Sequence, residues 1–232
     1  MSMFFNEIIY RPLLNIAIVI YNALPGNDFG IAIVVMTVLV RLALMPLSLK
    51  ALRSQQALNK INPKLNEIKE KFKDNKAAQS EAIMKLYKEE GVNPLAGCLP
   101  LLIQLPLLFA LYKVFAVGLT ESSLSLLYSF ISRPDAVSHL FLGIVDITQR
   151  SIPLTVLAGV LQFIQGWQQK NSVKGTPGVG KEVAALNSQM LYFLPVFIII
   201  IGWKMPAGLI VYWVATTAFS IFEQFYIKSK KS

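Results

Sequence analysis

The stretch IAIVVMTVLVRLALMPLSL, residues 31–49, decides the fold, because it is long enough to cross a bilayer and contains one charge, Arg41. A helix of about 20 apolar residues spans the roughly 30 Å of hydrocarbon in a membrane. Of the 232 residues, 54% are hydrophobic and only 15% are charged, whereas soluble domains have about 25% charged residues. Lipid is therefore the expected solvent, and a charge inside this stretch needs a reason.

Four further segments approach the same length and apolar content, so we predict an all-α polytopic membrane protein with five transmembrane helices. The predicted spans are residues 29–49, 95–117, 152–169, 186–204 and 205–227. The other predicted segments are an N-terminal interfacial amphipathic helix within 1–28, a cytoplasmic helical hairpin at 50–94, an extracytoplasmic loop at 118–151, a cytoplasmic loop at 170–185 and a short basic cytoplasmic tail at 228–232.

The N-terminal helix is predicted to lie along the membrane surface, because its apolar residues recur at helical spacing with polar residues between them. Its apolar positions are Phe5, Ile8, Ile9, Leu13, Ile16 and Ile20, and its polar positions are Asn6, Glu7, Arg11 and Asn15. The hairpin is predicted to divide at KDNKAA, residues 73–78, with a narrow apolar seam that includes Ile61, Leu65 and Leu86. A linker fold and a docking arm for a cytoplasmic component fit its charged surface equally well.

Positive charge predicts the orientation of the spans. Residues 50–93 carry ten Lys or Arg, whereas the loop at 118–150 carries only Arg133 and Arg150. Because Lys and Arg concentrate on the cytoplasmic side of membrane proteins, we expect the first span to start outside and the C-terminus to lie in the cytoplasm. The net charge of +9 then reflects topology and requires no direct nucleic acid partner. With no transit segment before the first helix, the bacterial plasma (inner) membrane is the expected location.

Groups for side-chain catalysis are missing from the predicted spans. His139 is the sole histidine and falls in a predicted loop, and the spans contain no carboxylate pair and no G-x-S-x-G or H-E-x-x-H pattern. GTPGVGKE at 175–182 resembles a phosphate-binding loop, but Glu182 stands where a magnesium-binding hydroxyl is needed, so we interpret it as a flexible linker. We expect neither enzymatic activity nor a cofactor or metal.

Polar side chains form stripes on three predicted spans. Thr37, Arg41 and Ser48 share one face of the first span, because residues four and seven apart lie on the same side of a helix. The stripe on the third span is Thr155, Gln162, Gln165 and Gln169, that on the fifth is Trp213, Thr216, Ser220 and Gln224, and Gln104 adds one polar group to the second. Taken singly, such residues often hydrogen-bond between helices.

Arg41 is harder to explain as helix packing. A charge near the middle of a membrane costs roughly 2.5–3.5 kcal/mol on insertion scales and usually faces water or a carboxylate. Glu223, the one acidic residue inside another predicted span, lies close to the cytoplasmic end, which is about 13 Å along the helix from Arg41. We therefore favour an Arg41 that faces a water-filled cavity open to the cytoplasm over a fully paired structural arginine.

Four motifs occur one after another along the chain: VRLALMPLSLKALRSQQ, NPLAGCLPLLIQLPLLFALYKVF, MLYFLPVF and MPAGLIVYWVATTAFSIFEQFYI. In them the chain resembles the YidC/Oxa1/Alb3 family of membrane protein insertases, in its compact bacterial form. The resemblance implies a five-helix core around a hydrophilic groove that holds the hydrophilic flank of a client. It implies Arg41 and Thr37 as groove residues, Trp213 as a groove aromatic, and Gln162 or Gln165 on the third span, with Gln162 preferred. Gln104 and Ser220, taken from the polar stripes, complete the candidate client-binding groove.

The implied function is the insertion and folding of integral membrane proteins, with nascent membrane proteins and the lipid bilayer as partners. The hairpin at 50–92 would help to receive clients, and it is the candidate contact for the ribosome, the signal recognition particle pathway and the Sec translocon. The alternative class is a small transporter or channel subunit, in which the polar stripes would line a path for a solute.

Overall fold

The computed structural model describes residues 3–93, 99–117, 121–134, 137–173 and 181–229. Its helices are α1 (Met3–Phe5), a π-helical turn (Asn6–Tyr10), α2 (Arg11–Ala23), α3 (Phe29–Lys71), α4 (Lys76–Glu89), α5 (Leu99–Val117), α6 (Glu121–Leu124), α7 (Ile152–Val173), α8 (Lys181–Gly202) and α9 (Ala207–Ser229). Two short strands, β1 (Leu140–Phe141) and β2 (Val145–Asp146), pair antiparallel between α6 and α7. The predicted all-α class is confirmed, while most of the predicted linker at 175–182 and the tail beyond Ser229 lie outside the described residues.

The first predicted span and the first hairpin helix form a single helix, α3, of 43 residues. Its start is capped by Asp28, whose carboxylate accepts a hydrogen bond from the Ile31 N–H at 2.9 Å. Pro46 and Pro63 lie inside α3, and each removes one backbone donor. Neither proline ends the helix, so the chain passes from the apolar stretch into the charged hairpin without a break.

The predicted hairpin consists of the C-terminal part of α3 and of α4. The turn between them, residues 72–75, falls in the predicted KDNKAA region, and the Asn75 side chain caps α4 by accepting from the Ala78 N–H at 3.0 Å. Ile61, Leu65 and Leu86 are buried against one another and form a small separate core. The seam predicted from apolar spacing therefore holds the two helices together.

The N-terminal helix packs against α3, mainly through a face that the apolar spacing did not single out. Of the predicted apolar stripe only Leu13 is buried, while Ile8 and Ile16 are exposed. The main buried face consists of Tyr10, Leu13, Leu14, Ala17, Ile18 and Tyr21. The prediction counted apolar residues and missed the two tyrosines, whose rings are apolar enough to pack in a core. An orientation along the membrane surface stays a prediction.

Asn15, one of the polar positions of the predicted helix, is 2% exposed because it binds the backbone between α6 and β1. Its Nδ2 donates to the Leu126 carbonyl at 3.2 Å, and its Oδ1 accepts from the Tyr128 N–H at 2.7 Å. Arg11 Nε donates to the same Leu126 carbonyl at 3.0 Å. Further along α2, the Tyr21 hydroxyl accepts from the Ser138 N–H at 2.9 Å. Side chains of the N-terminal helix thus fix the path of the segment between α6 and β1.

The helices α7, α8 and α9 pack as a group, and α9 also packs against α3. Gly159 of α7 is buried where α8 passes, since a Cβ at this position would lie 2.6 Å from Cγ1 of Ile199. Small residues allow close helix approach of this kind in membrane bundles. The largest core of the described residues lies between α2, α3, α5 and α9, and the polar residues of the candidate site lie beside it.

One helical stretch, Phe29–Leu58, is long and apolar enough to cross a membrane, judged by length and composition over the described residues. Gln104–Val114 and Tyr192–Gly202 are apolar but shorter. The helix α7 has 22 residues, but its glutamines lower its mean hydropathy. The five spans stay a prediction.

Candidate functional site

Arg41 lies on α3 where this helix faces α5 and α9. Its Nη2 donates to the Oε1 of Gln104 at 2.9 Å, and the Nε2 of Gln104 donates in turn to the Tyr212 hydroxyl. Three helices therefore contribute to one hydrogen-bonded chain, and the direct partner of the guanidinium is a neutral amide. The arrangement holds Arg41 in place while leaving its positive charge uncompensated by that partner.

A small cavity borders Arg41. It is lined by Leu13, Met36, Thr37, Val40, Arg41, Leu107, Leu111 and Tyr212. Thr37 is 3% exposed, and its hydroxyl donates to the Ile33 carbonyl at 2.6 Å. That bond satisfies the hydroxyl inside its own helix, so Thr37 contributes shape and modest polarity to the cavity wall.

Glu223 lies two turns of α3 away from Arg41, at the level of Ser48. Its side chain is 2% exposed, and it accepts a hydrogen bond from the Ser48 hydroxyl. Within the described part of the chain, Arg41 and Glu223 form no ion pair within 4 Å, and the ion pairs that are seen lie in the N-terminal helix and the hairpin. The nearest candidate counter-charge is thus bound to a serine on the same face of α3.

A second polar cluster joins α7 to α9. The Trp213 indole Nε1 donates to the Oε1 of Gln162 at 3.4 Å, and the Nε2 of Gln162 donates to the Oε1 of Gln165 at 3.1 Å. The sequence left a choice between the two glutamines, and the structure connects both. Because Tyr212 and Trp213 are neighbours on α9, the two clusters lie on adjoining faces of that helix.

The structure groups the predicted site residues unevenly. The first cluster contains Arg41, which bonds to Gln104 and shares a cavity wall with Thr37. The second cluster contains Gln162 and Trp213. Half-buried Ser220 makes none of the described contacts. The sequence missed Tyr212, which connects the first cluster to α9. Its four-residue spacing to Thr216 was the available signal, but the neighbouring Trp213 took its place in the predicted stripe.

One ion pair crosses the surface of the hairpin beside its apolar seam. Lys64 Nζ and Glu90 Oε1 are 2.5 Å apart, and this hydrogen-bonded carboxylate raises the pKa of Lys64. Both side chains are well exposed, so the pair contributes little stability. Over the described residues, no cluster of three or more His, Cys, Asp or Glu could hold a metal ion.

Comparison with known proteins gives a consistent family. The profile of the family described as "60Kd inner membrane protein" matches residues 19–232. The "Membrane protein insertase YidC" of Fusobacterium nucleatum is 34% identical over 204 residues, which are 88% of either chain. The "Membrane protein insertase YidC 2" of Bacillus anthracis is 36% identical over 96% of this chain and 80% of its own, and the Clostridium perfringens "Membrane protein insertase YidC" is 34% identical over 94% and 91%.

Proposed function

This chain belongs to the 60Kd inner membrane protein family, and on that basis we propose that it is a membrane protein insertase of the bacterial inner membrane. Its clients are nascent integral membrane proteins, and its relatives carry the insertase name. The proposed work is transfer of a polypeptide from water to lipid, in which no covalent bond is made or broken. The proposal goes further than the family membership in assigning the site that performs this transfer.

The observation that carries the proposed site is the environment of Arg41. An arginine inside an apolar stretch has a high cost unless it faces water or a counter-charge. Here its direct partner is Gln104, a neutral amide at 2.9 Å, and a cavity of about 10 Å³, room for about one water molecule, lies beside it. A fixed guanidinium without its own carboxylate is suited to bind the acidic flank of a visiting client.

The physical mechanism follows from the cost of moving charge through lipid. A hydrophilic flank that enters a polar groove crosses a shorter low-dielectric distance than one that crosses the whole bilayer. Arg41 holds an acidic flank by charge attraction while the apolar segment of the client partitions into lipid beside the protein. Burial of that apolar segment, at about 0.8 kcal/mol per CH₂ group, supplies the driving force without a nucleotide.

The proposed topology has five spans, with the start of the first outside and the C-terminus in the cytoplasm. It places the basic hairpin of α3 and α4 in the cytoplasm, as the positive-inside rule requires. The groove then opens toward the cytoplasm, and the N-terminal helix with the outer loop covers its outer side. The hairpin is proposed to receive clients from the ribosome, the signal recognition particle pathway or the Sec translocon.

The groove is proposed to include both polar clusters. Arg41, Gln104 and Thr37 form its charged part, while Gln162, Gln165 and Trp213 extend it along α7. Ser220 would lie further toward the cytoplasmic end, near the Ser48–Glu223 pair. The amide and indole groups can exchange their mutual hydrogen bonds for bonds to an extended client.

Site-specific photo-crosslinking to a ribosome-bound nascent membrane protein tests this site. A photoreactive residue at half-buried Trp213 should capture the client. The matched control is Phe222 on the same helix, which is 57% exposed and faces the opposite side, because nine residues correspond to two and a half helical turns. Crosslinking of the hydrophilic flank at 213, with only the apolar segment captured at 222, is the expected result.

Other outcomes separate the alternatives. Capture of the flank at position 222 and not at 213 would place the client path on another face and refute the groove. No capture at either position, together with solute flux in proteoliposomes of the purified protein, would favour a small transporter or channel subunit.

A further inference from the structure

A second cleft lies far from Arg41 along the chain, where the outer loop meets the turn between α8 and α9. It is lined by Thr148, Gln149, Arg150, Lys204 and Pro206. The lining is polar, and two of its five residues are cationic. None of these residues takes part in the proposed client groove.

The two cationic segments are held together by backbone hydrogen bonds. The Ala207 N–H donates to the Gln149 carbonyl at 2.7 Å, and the Gly208 N–H donates to the Ile147 carbonyl at 2.8 Å. These bonds join the start of α9 to the loop segment before α7. The backbones that carry the two cations are therefore fixed relative to each other.

The positive charges of the cleft are available for a ligand. Within the described part of the chain, neither Arg150 nor Lys204 has a carboxylate within 4 Å. The nearby carboxylate of Asp146 accepts from the Thr148 N–H at 2.8 Å and from its hydroxyl at 2.6 Å, and these bonds lower the pKa of Asp146. The Asp146 carboxylate stays ionised and is held by Thr148, so Arg150, Lys204 and Asp146 together leave one net positive charge at the cleft.

The surroundings of the cleft are typical of a membrane–water interface. Trp203 at the end of α8 is 52% exposed, and Ile152 at the start of α7 is 50% exposed. Tryptophan is enriched where lipid headgroups meet the acyl chains. On the proposed topology, these two helix ends lie at the outer surface, so the cleft is at the depth of the outer headgroups.

We propose that this cleft between Arg150 and Lys204 binds the phosphate of an anionic phospholipid headgroup in the outer leaflet. Arginine and lysine bind phosphate oxygens by charge-assisted hydrogen bonds. The apolar side chains of Trp203 and Ile152 then lie against the acyl chains of the same lipid. The inference rests on the proposed topology but does not depend on the client groove.

Photo-crosslinking to lipid tests the cleft. The protein, with a photoreactive residue at Thr148, is reconstituted in nanodiscs of equal phosphatidylglycerol and phosphatidylcholine, and the lipid adducts are identified by mass. Each basic residue near a membrane surface favours an anionic lipid by roughly fivefold. We therefore expect phosphatidylglycerol adducts to exceed phosphatidylcholine adducts by about 5- to 25-fold. A photoreactive residue at Val156, on an exposed position of α7, should report the bulk ratio.

Charge-removing variants identify the groups responsible. Arg150→Gln with Lys204→Gln should return the ratio at position 148 to that of the bulk, whereas Lys76→Gln with Lys88→Gln removes equal charge from the hairpin and should leave it unchanged. Adducts at Val156 in the same proteins show that the fold persists. An enrichment that survives the first pair, or a bulk ratio in the unaltered cleft, would overturn the lipid site.

Two further measurements separate this inference from the others. Inorganic phosphate at about 10 mM should not displace the lipid, and displacement would instead assign the cleft to a small free anion. In intact cells, Thr148→Cys should react with a membrane-impermeant thiol reagent. Labelling only after the cells are opened would overturn the outer placement and the topology itself, whereas failed lipid enrichment with intact labelling would overturn the cleft alone.

Discussion

Replacing Gln104 by glutamate should neutralise the charge of Arg41 by an internal ion pair while keeping the arginine in place. The Oε1 of Gln104 already accepts from Arg41 Nη2 at 2.9 Å, and glutamate has nearly the same size, so Gln104→Glu puts a carboxylate oxygen in the same position. For charges about 4 Å apart at an effective dielectric constant of about 20, the attraction is worth about 4 kcal/mol. A client carboxylate must compete with that internal pair, so its binding to Arg41 weakens by up to about a thousandfold.

The assay is insertion into proteoliposomes of two single-span clients that differ only in the translocated flank, acidic in one and neutral in the other. Protection from added protease measures the inserted fraction. We expect Gln104→Glu to impair the acidic client as severely as Arg41→Ala does, and to leave the neutral client close to the unaltered protein. Gln104→Met is the matched control, because it keeps the side-chain volume and the free positive charge.

Gln104→Met is expected to impair insertion of the acidic client less than Gln104→Glu does. Gln104→Met removes one charge-assisted hydrogen bond, worth about 1.5–3 kcal/mol, and so lets Arg41 move, but it adds no competitor. Normal insertion of the acidic client by Gln104→Glu would refute the electrostatic role of Arg41. Equal losses for both clients would refute it as well, since a neutral flank has no charge to lose.

Asn15→Leu should undock the N-terminal helix from the segment between α6 and β1, because it removes two hydrogen bonds of a buried side chain to that segment and one to the Arg11 carbonyl of its own helix, a loss of about 2 kcal/mol or more. Amide exchange across residues 121–134 should quicken roughly 30-fold, against less than about fivefold for Asn22→Leu, which loses one solvent-exposed hydrogen bond to the Ser132 carbonyl; equal effects would show that the burial of Asn15 adds nothing to the docking. Gly159→Ala should lower the thermal unfolding midpoint in detergent by overpacking against Ile199, at about 1–3 kcal/mol; Ile199→Ala in the same chain should restore it, and an unchanged midpoint would argue against so close a packing. Leu65→Ala should open the hairpin seam, at about 2 kcal/mol or more, and speed proteolysis between residues 60 and 90, which an intact seam would not allow.

The sequence predicted the elements whose cause is local. The all-α class follows from long apolar runs, and the family from motifs that occur in order; both predictions are confirmed. The turn at 72–75 follows from a polar sequence that ends in an asparagine cap. Arg41 stood out because one charge in an apolar stretch is costly wherever the helix lies.

What depends on helix crossings was not predictable in the same way. Tyr212 and Trp213 are equally plausible on α9, and only the rotation of that helix decides that Tyr212 contacts Gln104. Asn15 is a polar residue of a type that is usually exposed. Its burial depends on backbone groups more than 100 residues away along the chain. The predicted division between span and hairpin at residue 49 lies inside α3, which continues through it unbroken.

Because α3 is one unbroken helix, a movement at one of its ends is transmitted to the other end. From Arg41 to Lys71 it measures about 45 Å at 1.5 Å per residue, so a tilt of about 5° at the arginine moves the hairpin end by about 4 Å. The same geometry works in reverse, and a load at the hairpin end applies torque at Arg41. Pro46 and Pro63, each with one missing backbone hydrogen bond, are the two points where such a load would bend α3 before it reaches the arginine.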